Sequence, residues 1–408
     1  AVSVCDISSL PLSRRVQTPS AALLALGEEG AESASLREAL LRAGHASEVA
    51  AADAPLLNAS LKLSEETAAT LYAHDLALTQ SRIENYLSCP LSHFCEYVLR
   101  LGRDRQAAFD AMNIGSFLHA ILEKFFASVT AERIDIQTMR AEEKNTRIRR
   151  AAEEYLATLR GAGTDNPVRE DLLIERLIRA ANVIVEGLCD ELSGCRFVPR
   201  FFELEIRDGT EGAPSPVRIC AEDGTDISLY GTIDRVDTYS DGEDVYVRVI
   251  DYKTGSKKFS PKDLEEGKNL QMFLYLRAVV ESRDPAFLDR IGVGKEGVLI
   301  PAGVLYIHAA TSGGTLNSPH EDTHAALKAE QTRSGMLLEN PLSLGAMNAD
   351  YLPLKREKDG SFKASDLLYT EEGWQVLSET VENGVRRIVA RMKSGDIAAV
   401  PMKREGQS

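Results

Sequence analysis

The hydrophobic period of the chain changes near residue 197, and no other feature limits the fold as strongly. Before this point, apolar residues recur at the three- and four-residue spacing that buries one face of a helix. After it, alternation in steps of two predicts strands with one buried face, over residues 201–207, 227–238, 245–253 and 303–309. Helical spacing returns at 264–280 and 370–393. This order predicts an α/β fold in which helices flank a central, mixed but largely antiparallel sheet.

The region before the change of period is predicted to be helical. Helices are expected over residues 36–46, 64–72 and 114–128, and as a pair within 138–193. Ser81 followed by Glu84 has the form of a capping box, so we expect Ser81 to be the N-cap of a further helix. Further along, Asp241 and Gly242 are predicted to form the turn between two strands.

Length and composition narrow the class of protein. The 408 residues exceed the ~250–300 at which single domains usually stop growing, so we expect a core with attached segments. No apolar run reaches the ~18–20 residues that span a bilayer, and residues 298–307, the nearest candidate, are predicted to be a buried strand. Six scattered cysteines without a CxxC pair favour free thiols in a reducing compartment. We therefore expect a cytoplasmic protein that does not bind a membrane.

The net charge of −15 is opposite in sign to the basic excess that is typical of nucleic-acid-binding proteins. It does not exclude DNA as a substrate, because a metal-dependent nuclease concentrates carboxylates and a local basic groove can exist in an acidic chain. The charge does predict weak electrostatic steering towards DNA.

Two neighbouring motifs carry the strongest chemical signal, GTIDRVD at 231–237 and VIDYKTG at 249–255. Residues two apart on a strand share a face, so Asp251 and Lys253 point to the same side. A neighbouring strand can bring Asp234 beside them. Two carboxylates and an ammonium next to an apolar face are costly to bury unless a divalent cation balances them, and Mg²⁺ prefers oxygen ligands. The alternative is a surface hairpin with a salt bridge from Asp251 to Lys253 or Arg235.

A metal at these motifs predicts phosphodiester hydrolysis. A bound divalent cation lowers the pKa of water and neutralises charge that builds up on a phosphate. Lys253 is then expected to orient the attacking water or to stabilise the developing negative charge.

His119 is the candidate for a further metal ligand. It lies at the edge of the apolar stripe of its predicted helix, with Glu123 one turn later as a carboxylate that can orient the imidazole. The alternative is an ordinary histidine of the core. Glu203 and Glu205 share one face of a strand and are candidates for outer metal ligands, although we favour solvated carboxylates.

Three residues near the motifs are expected to bind DNA or to support the site. Gln271 and Tyr275 share one face of the helix that follows the strands, where they can fix Lys253 or contact a DNA strand. The alternative is that Gln271 and Tyr275 are a polar residue and a half-buried aromatic residue of an ordinary helix, without a role at the site. Arg235 belongs to the same group.

Other chemistries find no support. The sequence has no GxxxxGK[ST] loop for nucleotide phosphates, and the two glycines at 313–314 are predicted to form a turn. His320 and His324 are four residues apart but have no matching cysteine pair, so zinc is disfavoured.

The motifs in combination resemble the PD-(D/E)xK nuclease superfamily, specifically its RecB-like branch. The block at 231–275 looks like the core of that branch, and GSFLH at 115–119 looks like its upstream histidine motif. The resemblance implies a restriction-endonuclease-like core with helical additions at both ends. It also implies that His119, Asp234 and Asp251 hold Mg²⁺ or Mn²⁺ and that Lys253 is the catalytic lysine.

A second resemblance, from about residue 65 to the end, is to the nuclease region of the B subunits of AddAB-type helicase–nucleases. It is carried by the TQSRIENYLSCP stretch at 79–90 and by PAGVLY at 301–306. It implies a bacterial exonuclease with a helicase–nuclease partner subunit. Its substrates would be double-stranded DNA ends and single strands, resected for recombinational repair, and this subunit would cut the 5′-ended strand.

The same resemblance suggests how the chain is divided. Because the first residue is Ala1 rather than Met, we expect a piece of a longer protein. Residues 1–78 are expected to be a leading helical segment or linker, and 79–408 the nuclease domain. Within that domain the catalytic core is expected at about 110–310 and a helical part at 311–408.

B subunits of this type carry a four-cysteine iron–sulfur staple, and Cys89 matches its first cysteine. The other three would be expected just where the chain stops, at Ser408. A [4Fe–4S] cluster is therefore expected only if those cysteines exist in the full-length protein; otherwise Cys89 is an ordinary thiol. Cys95 matches nothing in the motif.

Three hypotheses about function remain open. The first is an active metal-dependent DNA nuclease of a helicase–nuclease. The second is a non-catalytic DNA-binding or subunit-docking module, and the third is a free-standing RecB-like exonuclease. Because a catalytically dead copy would be free to lose Asp251 or Lys253, the presence of the complete motif favours the first.

Overall fold

A computed structural model describes residues 31–46, 49, 61–72, 75–101, 111–159, 167–253, 259–265, 267–308 and 333–399. Its α-helices are α1 (Ala31–Arg42), α2 (Glu65–Leu71), α3 (Gln80–Ser88), α4 (Pro90–His93), α5 (Ala111–Ala131), α6 (Ala141–Leu159), α7 (Pro167–Ser193), α8 (Pro261–Glu265), α9 (Gln271–Val280), α10 (Pro285–Ile291), α11 (Pro341–Gly345) and α12 (Glu371–Lys393). A π-helical turn at Phe94–Val98 follows α4, and a 3₁₀ turn lies at Ala349–Tyr351.

The described residues contain one sheet of eight strands. These are β1 (Leu76–Thr79), β2 (Val198–Ile206), β3 (Val217–Cys220), β4 (Asp226–Asp241), β5 (Asp244–Lys253), β6 (Leu299–His308), β7 (Ser334–Leu338) and β8 (Leu368–Tyr369). The sheet is mixed: β1–β4, β5–β6 and β7–β8 are parallel pairs, and the other pairs are antiparallel. With helices on both faces, this confirms the predicted α/β fold class with a central mixed sheet.

Strand β4 organises the sheet because it changes neighbours along its length. Its first part pairs with β1 and β3, its middle with β2, and its last part with β5. The β4–β5 ladder runs from the tight turn at Gly242, where φ is 64°, back to the pair of Arg235 and Ile250. Beyond that pair β5 continues alongside β6, while β4 continues alongside β2. The divergence opens a fork between the two strands at residues 234 and 251.

Each face of the sheet buries its own apolar core. On one face, apolar residues of the sheet pack against α2, α3, α9, α10 and α12. On the other face they pack against α5, α6, α7 and α11. The stripe predicted on the helix at 114–128 is part of the second core, where Phe117, Phe125 and Phe126 are buried. Burial on both sides explains why β5 is rich in β-branched and aromatic residues.

Two helix predictions were wrong in detail. The N-cap of α3 is Thr79, whose hydroxyl accepts from the N–H of Arg82, and Ser81 lies inside the helix. The capping box fails because the backbone of Thr79 is already extended as the last residue of β1. Residues 264–280 form two helices, because Gly267 and Asn269 adopt φ values of 80° and 52° and end α8 before α9 starts.

Several other features fall in or near the expected places. The pair of helices expected within 138–193 corresponds to α6 and α7. In the leading segment, Ala68, Tyr72 and Leu78 are buried in the same core as the sheet. None of the helices that the structure describes combines the length and apolar character needed to cross a bilayer. The glycines at 313–314 and the two histidines at 320 and 324 lie outside the described residues.

Candidate active site

The fork between β4 and β5 brings Asp234 and Asp251 together, each one residue beyond the last pair of the ladder. Where the strands separate, the N–H of Tyr252 no longer faces a backbone acceptor on β4. The Oδ2 atom of Asp234 accepts from this N–H at 2.9 Å. A side chain thus satisfies a backbone group that the divergence would leave unpaired, and this fixes the Asp234 carboxylate in the fork.

His119 reaches the fork from α5. Its Nε2 atom lies 2.6 Å from the carbonyl oxygen of Tyr252, and its Nδ1 atom lies 3.4 Å from Oδ2 of Asp234. Because a carbonyl oxygen can only accept, Nε2 carries the proton in this contact. The group that orients the imidazole is therefore the Tyr252 carbonyl. The carboxylate of Glu123, which we expected in this role, makes no hydrogen bond to His119 among the described contacts.

Asp251 and Lys253 form a close ion pair at the mouth of the fork. The Lys253 Nζ atom lies 2.8 Å from Oδ2 and 3.1 Å from Oδ1 of Asp251. Asp251 is 3% exposed, whereas the Lys253 side chain is 42% exposed. The ammonium also lies 5.8 Å from the ring centroid of Tyr306. The lysine therefore joins a buried carboxylate to solvent, where a substrate can reach it.

Glu203 completes the cluster, although we favoured a solvated role for it. The β2–β4 register sets Phe202 opposite Arg235 and Leu204 opposite Ile233, so Glu203 comes opposite Asp234. Its carboxylate, that of Asp234 and the His119 imidazole each offer a ligand atom within 4.8 Å of one another. Glu203 also has φ of 46°, a strained value for a residue other than glycine and one that is enriched at functional sites.

Glu205, the other candidate on this strand, is not in the fork. It is exposed and pairs with Arg207 at 2.6 Å. Alternation along the strand could not separate Glu203 from Glu205, because both positions have the same parity. The distinction depends on the backbone irregularity at Glu203 and on the pairing of β2 with β4.

Burial and repulsion between neighbouring carboxylates raise two pKa values in the cluster. Burial raises the pKa of Glu203 to about 7, and the neighbouring Asp234 carboxylate adds to the increase. Burial raises the pKa of Asp234 to about 6, with a further increase from Asp251 and an opposing effect of His119. Carboxylates that repel one another in a partly buried site are those that a divalent cation would stabilise. One Asp251 oxygen, Oδ2, is also buried, and its partner among the described residues is the Lys253 ammonium at 2.8 Å.

The three residues expected to bind DNA or support the site lie around the fork in different settings. Arg235 has no exposed surface, so its guanidinium is not available to DNA and can only support the site. The Gln271 side chain donates to the Tyr275 hydroxyl, with Nε2 and Oη 3.2 Å apart. Tyr275 is buried against Gly231 of the first motif. Neither side chain has a described contact with Lys253.

The region around Cys89 lies at the start of α4, away from the fork in sequence. Cys89 is half-buried, is the N-cap residue of α4, and has a free thiol. Cys95 lies in the π-helical turn and is also a free, half-buried thiol. Cys89 is accessible enough to be a ligand, and its role in a cluster remains a prediction.

One class of nucleases has a mixed sheet with helices on both faces. Its active site has acidic residues and a lysine where two strands of that sheet separate. The chain belongs to that class, the PD-(D/E)XK nuclease superfamily, whose family model matches residues 77–405.

Similar proteins carry a more particular name. Curated relatives, each named as the B subunit of an ATP-dependent helicase/deoxyribonuclease, occur in Clostridium acetobutylicum, with 26% identity over 350 residues, and in Clostridioides difficile strain 630, with 25% over 354 residues. A relative of the same name in Caldanaerobacter subterraneus is 27% identical over 346 residues. The matches cover 84%, 84% and 83% of this chain but only 29%, 30% and 29% of the relatives. The chain thus spans less than a third of the length of these relatives.

Proposed function

We propose that this chain is the Mg²⁺- or Mn²⁺-dependent deoxyribonuclease part of a cytoplasmic helicase–nuclease. The observation that carries the proposal is the convergence of three carboxylates, one imidazole and one ammonium in the fork of β4 and β5. Family membership and the name shared by the relatives support the same activity.

The donor set fits a hard divalent cation. The Asp234, Asp251 and Glu203 carboxylates supply oxygens, and His119 supplies one nitrogen, which suits Mg²⁺ or Mn²⁺ better than a soft metal. When bound, the cation would activate a water molecule and neutralise charge on the scissile phosphate. The neighbouring carboxylates would lose their mutual repulsion at the same time, since their raised pKa values result from burial next to like charges.

The protein's own groups have separate tasks in phosphodiester hydrolysis. The N–H of Tyr252 holds Asp234, and the Tyr252 carbonyl holds the His119 ring. Asp251 holds the Lys253 ammonium at the mouth of the fork, next to the place that the phosphate would occupy. Lys253 would then orient the attacking water or stabilise negative charge on the phosphate oxygens.

The name of the relatives, rather than the fork, supports a proposal about the wider role. We infer that the chain works as the exonuclease of a two-subunit helicase–nuclease that resects double-strand breaks for recombinational repair, with DNA ends and single strands as substrates. A [4Fe–4S] cluster in the full-length protein would use Cys89 as one ligand. The division into a leading segment at 1–78 and a nuclease domain at 79–408 belongs to the same proposal.

Metal-dependent cleavage of single-stranded and duplex DNA tests the proposal, both for this chain and for the full-length protein with its helicase partner. Lys253→Ala and Asp251→Ala should abolish degradation while the circular dichroism of the fold is retained. Lys363→Ala is the matched control, since Lys363 is an exposed lysine paired with Glu357 at 3.6 Å, outside the fork.

The outcomes separate the competing functions. Degradation that requires the metal and is lost only in the fork variants supports the nuclease. DNA binding without cleavage in both the chain and the full assembly would overturn it in favour of a non-catalytic module. Equal activity with and without the helicase partner would favour a free-standing exonuclease.

A further inference from the structure

A set of charged side chains is completely buried behind the fork. The Arg235 guanidinium donates to both oxygens of Asp237, with N–O distances of 2.6 and 2.7 Å. Arg248 donates to Oδ2 of the same carboxylate from two nitrogens, at 3.0 and 2.8 Å. All three residues are 0% exposed. They join β4 to β5 through side chains, on the face that packs against α5, α6 and α7.

The set continues into the helices. Arg248 Nη1 lies 3.3 Å from Oε1 of Glu191, at the end of α7. Arg333, just before β7, donates to the other oxygen, Oε2 of Glu191, at 2.7 and 3.1 Å. Both Glu191 and Arg333 are buried. We call these five residues the buried charge network: Glu191, Arg235, Asp237, Arg248 and Arg333.

Tyr252 connects this network to the fork. The Arg235 guanidinium lies 3.3 Å from the Tyr252 hydroxyl and donates to it through Nη1. The ring of Tyr252 is buried and lies 5.9 Å from the His119 ring, centroid to centroid. The backbone of the same residue donates to Asp234 and accepts from His119. One residue therefore contacts the network with its side chain and two fork residues with its main chain.

We propose that Tyr252 is a positioning residue, and that the buried charge network fixes it so that His119 and Asp234 keep their places in the fork. Well-packed apolar residues would fill the same space at no greater cost in stability, because burying ions is expensive. Charged pairs add direction, since the Arg235 guanidinium, held by both oxygens of the Asp237 carboxylate, can meet a phenol oxygen in few orientations. The proposal rests on the proposed nuclease function only for the purpose of this positioning, which is metal binding and DNA cleavage.

The test variant is Tyr252→Phe, which keeps the ring and removes the hydroxyl that Arg235 contacts. The matched control is Tyr246→Phe. Tyr246 lies on the same strand and the same face, is also buried, and also makes a side-chain hydrogen bond, to Asn340. Both substitutions remove one hydrogen-bonded hydroxyl from a buried tyrosine of β5, so a loss of Mn²⁺ affinity in Tyr252→Phe alone reports the position of the hydroxyl.

Two readouts decide the proposal. In metal-free protein labelled with ¹⁵N-histidine, the Nε2–H resonance of His119 should exchange with water faster in Tyr252→Phe than in wild type or Tyr246→Phe. The resonance is assigned by its loss in His119→Asn. In calorimetric titrations with Mn²⁺, Tyr252→Phe should bind about tenfold more weakly, the lower end of the loss typical for groups that orient metal ligands.

Activity gives a further distinction. Tyr252→Phe should lower kcat at limiting Mn²⁺ and recover at high Mn²⁺, with the KM for DNA unchanged. If the His119 resonance and the Mn²⁺ affinity of Tyr252→Phe match those of Tyr246→Phe, the inference is overturned. If wild type neither binds Mn²⁺ nor cleaves DNA, the proposed function fails, and the histidine resonance still decides whether Tyr252 positions His119.

Discussion

The phenol of Tyr275 lies directly on the backbone of Gly231, so closely that a Cβ atom at residue 231 would be 2.2 Å from the Tyr275 oxygen. Tyr275 is buried there, and its hydroxyl also accepts a hydrogen bond from the Gln271 side chain. The glycine of the GTIDRVD motif is thus required by the close approach of α9 to β4. The contact also joins the GTIDRVD motif to helix α9, although Gly231 and Tyr275 are 44 residues apart in the sequence.

Gly231→Ala should therefore destabilise the protein, because the Tyr275 ring would have to move away from β4. It should also reduce cleavage, because residue 231 lies on the same strand only three residues before Asp234. Overpacking of this kind costs about 1–3 kcal/mol of unfolding free energy. Gly384→Ala is the control, since nothing lies within 4 Å of a Cβ atom at that position. Urea denaturation of both variants checks the prediction, and equal midpoints for the two would contradict it.

Glu203→Gln should stabilise the metal-free protein near pH 8 and weaken its binding of Mn²⁺. The carboxylate of Glu203 is close to Asp234 and its pKa is raised to about 7, so at pH 8 its charge opposes folding. When folding raises the pKa of an acid, the protein loses stability as the pH rises from the unfolded pKa, near 4.5, through the folded pKa of about 7. The glutamine amide removes this cost. It also removes a negative charge that would bind the cation.

Thermal unfolding in EDTA and Mn²⁺ calorimetry measure the two effects of Glu203→Gln. Glu205→Gln is the control, because Glu205 lies on the same strand but is exposed and paired with Arg207. A variant at 203 that is less stable without metal, or that binds Mn²⁺ as tightly as wild type, would remove Glu203 from the site.

Asp237→Asn should be strongly destabilising. The substitution leaves two fully buried guanidiniums, those of Arg235 and Arg248, with only part of their compensating charge. Breaking a buried ion pair by removing one partner costs about 3–5 kcal/mol. Asp208→Asn removes an exposed partner of Arg218 and should cost about 0–1 kcal/mol. Unfolding free energies from urea titrations that differ by less than about 1 kcal/mol between these variants would show that the network is energetically neutral.

His93 should make the protein less stable below neutral pH. It is completely buried between Tyr86 and Tyr97, and burial, with a smaller effect of the Arg82 charge, lowers its pKa from 6.5 to about 4. The unfolded chain therefore binds a proton below pH 6.5 that the folded chain takes up only near 4. Stability is full above 6.5 and decreases as the pH falls through this window, by up to about 3 kcal/mol.

The contribution of His93 is isolated by comparison with His93→Phe, which keeps a ring between the two tyrosines. Between pH 4 and 6.5 the unfolding free energy of wild type should fall more steeply than that of the variant. Because every other titrating group is common to both proteins, parallel curves would mean that His93 takes up its proton at the same pH in the folded and unfolded chains.

Features that depend on local backbone periodicity could be predicted from the sequence alone. Alternation in steps of two placed Asp251 and Lys253 on one side of β5, because side chains on a strand alternate between faces whatever the strand pairs with. Helical spacing in the same way identified the buried face of α5, with His119 at its edge. The fold class followed from the order of these elements along the chain.

Features that depend on which segments meet required the tertiary structure. Glu203 enters the fork because β2 pairs with β4 in one register. Arg235 cannot reach DNA because it is fully buried against Phe126 of α5, Asp237 and Tyr252. The N-cap at Thr79 likewise depends on the pairing of β1 with a distant strand. Burial, desolvation and strand register are set by contacts between residues far apart in sequence, and periodicity carries no information about them.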